Sequence, residues 1–78
     1  MKRERKSEIP EVVKDLGIKI KDIIEEKKFK RREVAHDAEM DVESLRKYIK
    51  GSQEMKLSTL FKIAQALKIH PSELIKDL

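Results

Sequence analysis

Apolar residues fall at positions 12, 13, 16, 20, 23 and 24, with Ile9 just before them, a spacing that fits one face of a helix. Pro10 suits the first turn of that helix, where its missing N–H costs nothing, and Ser7 or Glu8 stands where a cap is needed. Gly17 interrupts the stripe and marks the expected start of the compact part of the helix. The run EEKKFKRRE ends the helix near Lys28, and Phe29 is expected to turn back into the core. Val34, Ala35 and Ala38 then predict a second helix from about Arg31 to Ala38. After a break at 39–41, Leu45, Tyr48 and Ile49 form the inward face of a third helix. Asp41 is a good cap for it, because its carboxylate can accept backbone N–H groups left free in the first turn. Gly51 supplies the left-handed residue that stops it. Beyond SQEMK, Leu57, Leu60, Ile63, Ala64 and Leu67 repeat at helical spacing and predict a fourth helix. HPSEL opens a fifth, with His70 as cap, Pro71 first and Glu73 in the first turn, where the helix dipole favours an acid. Leu74, Ile75 and Leu78 are expected to close the core.

Composition narrows the picture further. The chain has 78 residues, of which 44% are charged and only two each are Gly and Pro, which favours an all-α fold with tight turns. That length makes one small domain, 9–78, preceded by an arm of residues 1–8 with nothing to bury. A domain of this size buries only about 60% of its unfolded surface. There are no cysteines, and His36 and His70 have no zinc spacing, so neither a metal site nor a cofactor is expected. No apolar run approaches the roughly 18 residues of a membrane span, and no signal-peptide pattern follows the basic start, so a soluble cytoplasmic protein is expected. The sequence holds no Gly-rich phosphate loop, nucleophile elbow or paired-His motif, and a core this small leaves little room for a substrate cavity. An enzyme is therefore not expected. His36 points off the apolar face and reads as a surface residue, while Met40 and Met55 read as gap-fillers.

The formal charge is +4, but it is unevenly placed. Residues 1–6 carry Lys2, Arg3, Arg5 and Lys6 against Glu4, which leaves only +1 for the other 72 residues. Such an arm is either a solvated terminus or a segment that tracks phosphates or enters a minor groove. Residues 30–50 hold six bases (Lys30, Arg31, Arg32, Arg46, Lys47, Lys50) and five acids (Glu33, Asp37, Glu39, Asp41, Glu43).

Five short stretches, in order, carry a family resemblance: LGIKI, EVA, SLRKYIKG, LSTLFKIAQAL and IHPSEL. Together they make the chain, from about Leu16 to Ile75, similar to the phage-repressor-like (Xre, Cro/CI-type) helix-turn-helix family. The resemblance implies a compact five-helix repressor-type domain in which the second and third helices form the helix-turn-helix. It further implies a recognition helix from about Val42 to Lys50 laid in the major groove, with the second helix crossing above it near a phosphate. The family's base readers map onto Val42, Glu43 and Lys47. Of these, Val42 can touch a thymine methyl, Glu43 can accept from a cytosine amino group, and Lys47 is a conventional guanine reader. Arg31 stands where the family often has a glutamine bonding the DNA backbone, and Arg46, Lys50 and Lys56 are placed to reach phosphates. For any one of these bases taken alone, a solvated surface charge is the commoner role.

Two departures from the family bear on the fold. Glu39 stands where glycine is favoured, and a left-handed conformation there costs of order 1 kcal/mol more for Glu. Ile24 and Ile49 occupy positions where many members have a buried Arg–Glu pair. Replacing both partners together by apolar residues is the change expected to be neutral or stabilising, so Ile24 and Ile49 are expected to meet in the core.

The sequence thus points to a sequence-specific regulator of double-stranded DNA, a repressor acting as a homodimer on an inverted repeat. A near-neutral recognition unit needs help in affinity, which dimerisation and the basic arm would supply. Leu74, Ile75 and Leu78 are the expected dimer surface, with Ile9 and Val13 as the alternative. No small-molecule effector domain is expected. The competing reading is a protein-interaction module of the same fold, such as an antitoxin or partner-regulator subunit with weak DNA binding and another protein as its main contact.

Overall fold

A computed structural model describes residues 9–78, and every regular element among them is a helix. The order is α1 (Glu11–Lys27), α2 (Arg31–Asp37), α3 (Val42–Lys50), α4 (Leu57–Ala66) and α5 (Pro71–Ile75). α1 packs most extensively on α3, and α2 bridges α3 and α4, while α5 closes against α4 and α1. One core results, in which Ile20, Val34, Leu45, Ile63, Leu67 and Leu74 are the largest fully buried side chains. Burying each of these Leu, Ile or Val residues contributes about 1.5–3 kcal/mol relative to leaving it exposed.

Both glycines of the chain lie at one helix junction. Gly17 sits inside α1, where a Cβ would stand 2.5 Å from the carbonyl oxygens of Ile49 and Tyr48. Gly51 ends α3 at φ 72°, and a Cβ there would stand 2.7 Å from Lys14 Cα. α1 therefore starts at Glu11, with Pro10 as its N-cap, and runs straight through Gly17. The sequence expectation that Gly17 marks the start of the compact helix is corrected: the glycine is there for close approach. The expected caps Ser7 and Glu8 lie outside the described residues.

Four helices end with the same pair of backbone bonds. Past α1, α2, α3 and α4, the N–H groups of Phe29, Met40, Ser52 and Ile69 reach back to Ile24, Ala35, Lys47 and Ala64 carbonyls respectively. The preceding residues, Lys28, Glu39, Gly51 and Lys68, are all left-handed. This is the Schellman arrangement, which satisfies carbonyls that the helix leaves free and turns the following residue inward. Phe29, Met40 and Ile69 accordingly pack against the core. Lys27 ties the first of these turns to the last: its ammonium donates to the Leu67 carbonyl at 3.1 Å and stands 5.9 Å from the Phe29 ring centre.

Ile24 and Ile49 are both buried members of this one core. Two parts of the apolar pattern are left outside the core. Leu57 is 69% exposed, because it is the first residue of α4 and no element covers that turn. Ile75 and Leu78 are also largely exposed, leaving Leu74 alone to close the core from α5.

Candidate nucleic-acid interface

α2 and α3 are joined by a four-residue turn, 38–41. Its second residue, Glu39, has φ 61°, so the chain keeps the left-handed turn without the glycine that makes it easy. Asp41 then caps α3: its Oδ1 accepts the Ser44 N–H at 2.7 Å. That backbone hydrogen bond, with the Ser44 hydroxyl next, holds the Asp41 carboxyl below its ordinary pKa of 3.8.

The two faces of α3 are sharply different. Leu45 and Ile49 are buried, and Tyr48 and Val42 are half-buried against the core. Glu43, Arg46, Lys47 and Lys50 all face solvent, at the spacing of one helix face. Two of these four are engaged with each other, since Arg46 Nη1 donates to Glu43 Oε2 at 3.3 Å. Among the described residues, Lys47 and Lys50 are in no ion pair. At the end of the helix the Lys47 carbonyl accepts both the N–H and the hydroxyl of Ser52, at 3.1 and 3.2 Å. The backbone beneath Lys47 is therefore fixed, while its side chain is in no ion pair with another described residue. Arg31, the first residue of α2, is half-buried, and Lys56 is the exposed N-cap residue of α4.

A short helix, a left-handed turn and a capped second helix with a buried and a charged face make a helix-turn-helix. Residues 19–77 match the family model of the Cro/C1-type HTH DNA-binding domain. The chain belongs to this family. Cro/C1-type domains are DNA-binding helix-turn-helix modules of transcriptional regulators. Among solved structures, the chain is similar to the restriction-modification controller protein C.AhdI from Aeromonas hydrophila. That likeness has 25% identity and a TM-score of 0.76 over 82% of this chain and 96% of that one. It also shares its fold with the clp gene regulator ClgR from C. glutamicum, at 20% identity and a TM-score of 0.80 over 85% of this chain and 86% of that one. No curated protein sequence matches this chain.

The remaining candidate residues of this Cro/C1-type domain divide clearly. The arm residues Lys2, Arg3, Arg5 and Lys6 lie outside the described residues. Of the expected dimer surface, Leu74 is corrected: it is fully buried, because α5 must send one residue into the core and Leu74 fills that place. Ile75, its neighbour, is 52% exposed, and Leu78 is 42% exposed. Ile9 and Val13 are half-buried. The sequence reading missed a different apolar surface on α4. Leu57 and Phe61, one turn apart, are both largely exposed, and Phe61 lines a shallow groove of about 330 Å³ with Gln65, Ile69 and Pro71. The signal was present in the sequence, since 57, 61 and 65 form an uncharged stripe in a chain that is 44% charged. His70 caps α5, its Nδ1 accepting the Ser72 N–H at 3.1 Å, and His36 is exposed.

Proposed function

We propose that this chain is a sequence-specific regulator of double-stranded DNA that acts as a repressor and binds an inverted repeat as a homodimer. One observation carries the reading: α3 presents Lys47 and Lys50, free of ion pairs among the described residues, from a helix whose backbone is fixed at both ends. A rigid helix with a free base is what major-groove reading requires.

In this reading Lys47 donates to guanine O6 and N7, and Val42, at the edge of the core, touches a thymine methyl. Glu43 has two uses. It accepts from a cytosine amino group, and it holds Arg46 in position along the helix. Arg46, Lys50, Arg31 and Lys56 neutralise phosphates, with Lys2, Arg3, Arg5 and Lys6 of the arm adding to the same electrostatic attraction. The dimer forms through Leu57 and Phe61 together with Ile75. An uncharged surface suits a two-fold contact, because each charge near the axis would otherwise meet its own copy. Half-sites then lie about 34–36 Å apart, one helical turn of DNA. A likeness to a restriction-modification controller protein supports a regulatory role. The protein works in the cytoplasm, alongside the DNA it controls.

Selection of the full chain against a random duplex library at about 0.1 M salt, where surface charges are already well screened, tests this directly. Enrichment of a palindrome is expected. No enrichment from a folded protein contradicts the reading and favours a protein-interaction module.

A further inference from the structure

The side of α1 turned away from α3 carries a second surface, built differently from the DNA-facing one. With 100° per residue, positions 15, 22 and 26 lie nearly opposite Gly17, the residue that abuts α3. Together with the end of the chain they line a groove of about 390 Å³. Its floor is apolar: Ile18 is 55% exposed and Leu78 is 42% exposed, with Ile23 half-buried between α1 and the C-terminal turn. Its rim is acidic, formed by Asp15, Asp22, Glu26 and Asp77. None of these four carboxylates is in an ion pair with another described residue. The one base in the groove, Lys19, donates to the Lys76 carbonyl, so it holds the C-terminal turn against α1.

We propose that this groove is a docking site for a basic segment of another protein that carries an apolar anchor. Four acids in no ion pair with another described residue, around exposed isoleucine and leucine in a chain whose net charge is +4, are complementary to a ligand of opposite charge and matching apolar surface. The acids repel nucleic-acid phosphates, so the occupant is a polypeptide. They are also too dispersed for a metal, since no group of three acids or histidines that could hold one occurs among the described residues. A second copy seated symmetrically would set acid against acid. The chain's own basic arm matches the charge, but Met1 is the one apolar residue among its residues 1–8, too little to meet both Ile18 and Leu78. A partner with both features fits, and docking there leaves α3 open to DNA.

The test is an NMR titration of the full chain with a synthetic peptide that carries Lys and Arg on one side of a helix and a leucine pair on the other. Saturable shifts centred on Ile18, Asp22, Glu26 and Leu78 are expected. The double variant Asp22→Lys with Glu26→Lys should weaken binding by about tenfold or more, as should Ile18→Ser. All three side chains are exposed, so the thermal midpoint of each variant should stay near that of the parent, which separates lost docking from lost folding. A control peptide with serine for leucine should bind at least about tenfold more weakly. Shifts centred elsewhere, no saturable binding, or variants that bind as well as the parent would overturn the proposal. Equal binding of the serine peptide would also overturn it, and tighter binding after removal of residues 1–8 would make the arm the occupant instead.

Discussion

Gly17 in α1 meets the carbonyl oxygens of Ile49 and Tyr48 at the end of α3, at a distance that leaves no room for a methyl group. α3 is thus seated directly on the backbone of α1. Gly17→Ala adds a Cβ 2.5 Å from both oxygens. The alanine gains about 0.5–1 kcal/mol in helix propensity, but forced overpacking costs about 1–3 kcal/mol. Net destabilisation is expected, read as a lower urea midpoint. A midpoint at or above that of the parent would show that α1 and α3 separate easily.

Glu39 holds a left-handed conformation at φ 61° in the turn between α2 and α3. Glu39→Gly removes the steric cost and should stabilise the fold by roughly 1 kcal/mol, partly offset by a more flexible unfolded chain. Lys68→Gly, at φ 61° after α4, should do the same. The check is the urea midpoint of each single variant, followed by the pair for additivity.

The capping carboxylate of Asp41 gives α3 a dependence on pH. Its pKa is lowered in the folded state by the Ser44 N–H, so its contribution is fully present above the ordinary value of 3.8. That contribution is lost as pH falls through the lower folded value. Asp41→Asn keeps an acceptor oxygen for the cap and should abolish this part of the acid sensitivity while retaining most of the stability at neutral pH. Urea midpoints measured from pH 7 down to pH 2 for both proteins decide it. Parallel curves would mean that other carboxylates account for any acid loss.

Leu57 and Phe61 form the uncharged, exposed stripe of α4. Phe61→Glu should leave the monomer folded, because the side chain lies outside the core, yet place like charges across a two-fold contact. Sedimentation equilibrium should show the parent as a dimer and the variant as a monomer with an unchanged helical spectrum. A variant that stays dimeric would move the contact away from this stripe of α4.

Much of this was legible in the sequence, and the misses share a cause. The period of the apolar residues located all five helices, and chemistry at single positions located their ends: Asp41, Gly51 and His70 each do what their side chains suit them for. Periodicity reports which face of a helix is apolar, however, and not how far the covering element extends. Leu57 fits the stripe of α4 but stands one turn beyond its cover, and the adjacent Leu74 and Ile75 could not be told apart without knowing the angle of α5. The role of Gly17 escaped for a related reason: a close approach depends on the partner helix, which the local pattern does not contain. The left-handed Lys28 and Lys68 carry no glycine signal at all. On α3, the family resemblance pointed to Val42, Glu43, Arg46, Lys47 and Lys50, but only the structure pairs Glu43 with Arg46 and sets Val42 half into the core.

We propose that α3 reads bases through Lys47. The most direct test compares the parent and Lys47→Ala on the selected duplex and on every single-base replacement of one half-site. Loss of discrimination by about 1–3 kcal/mol at one position, with preferences elsewhere intact, is the predicted result. Equal weakening on all duplexes, with a flatter salt dependence, would contradict it and make Lys47 a phosphate contact.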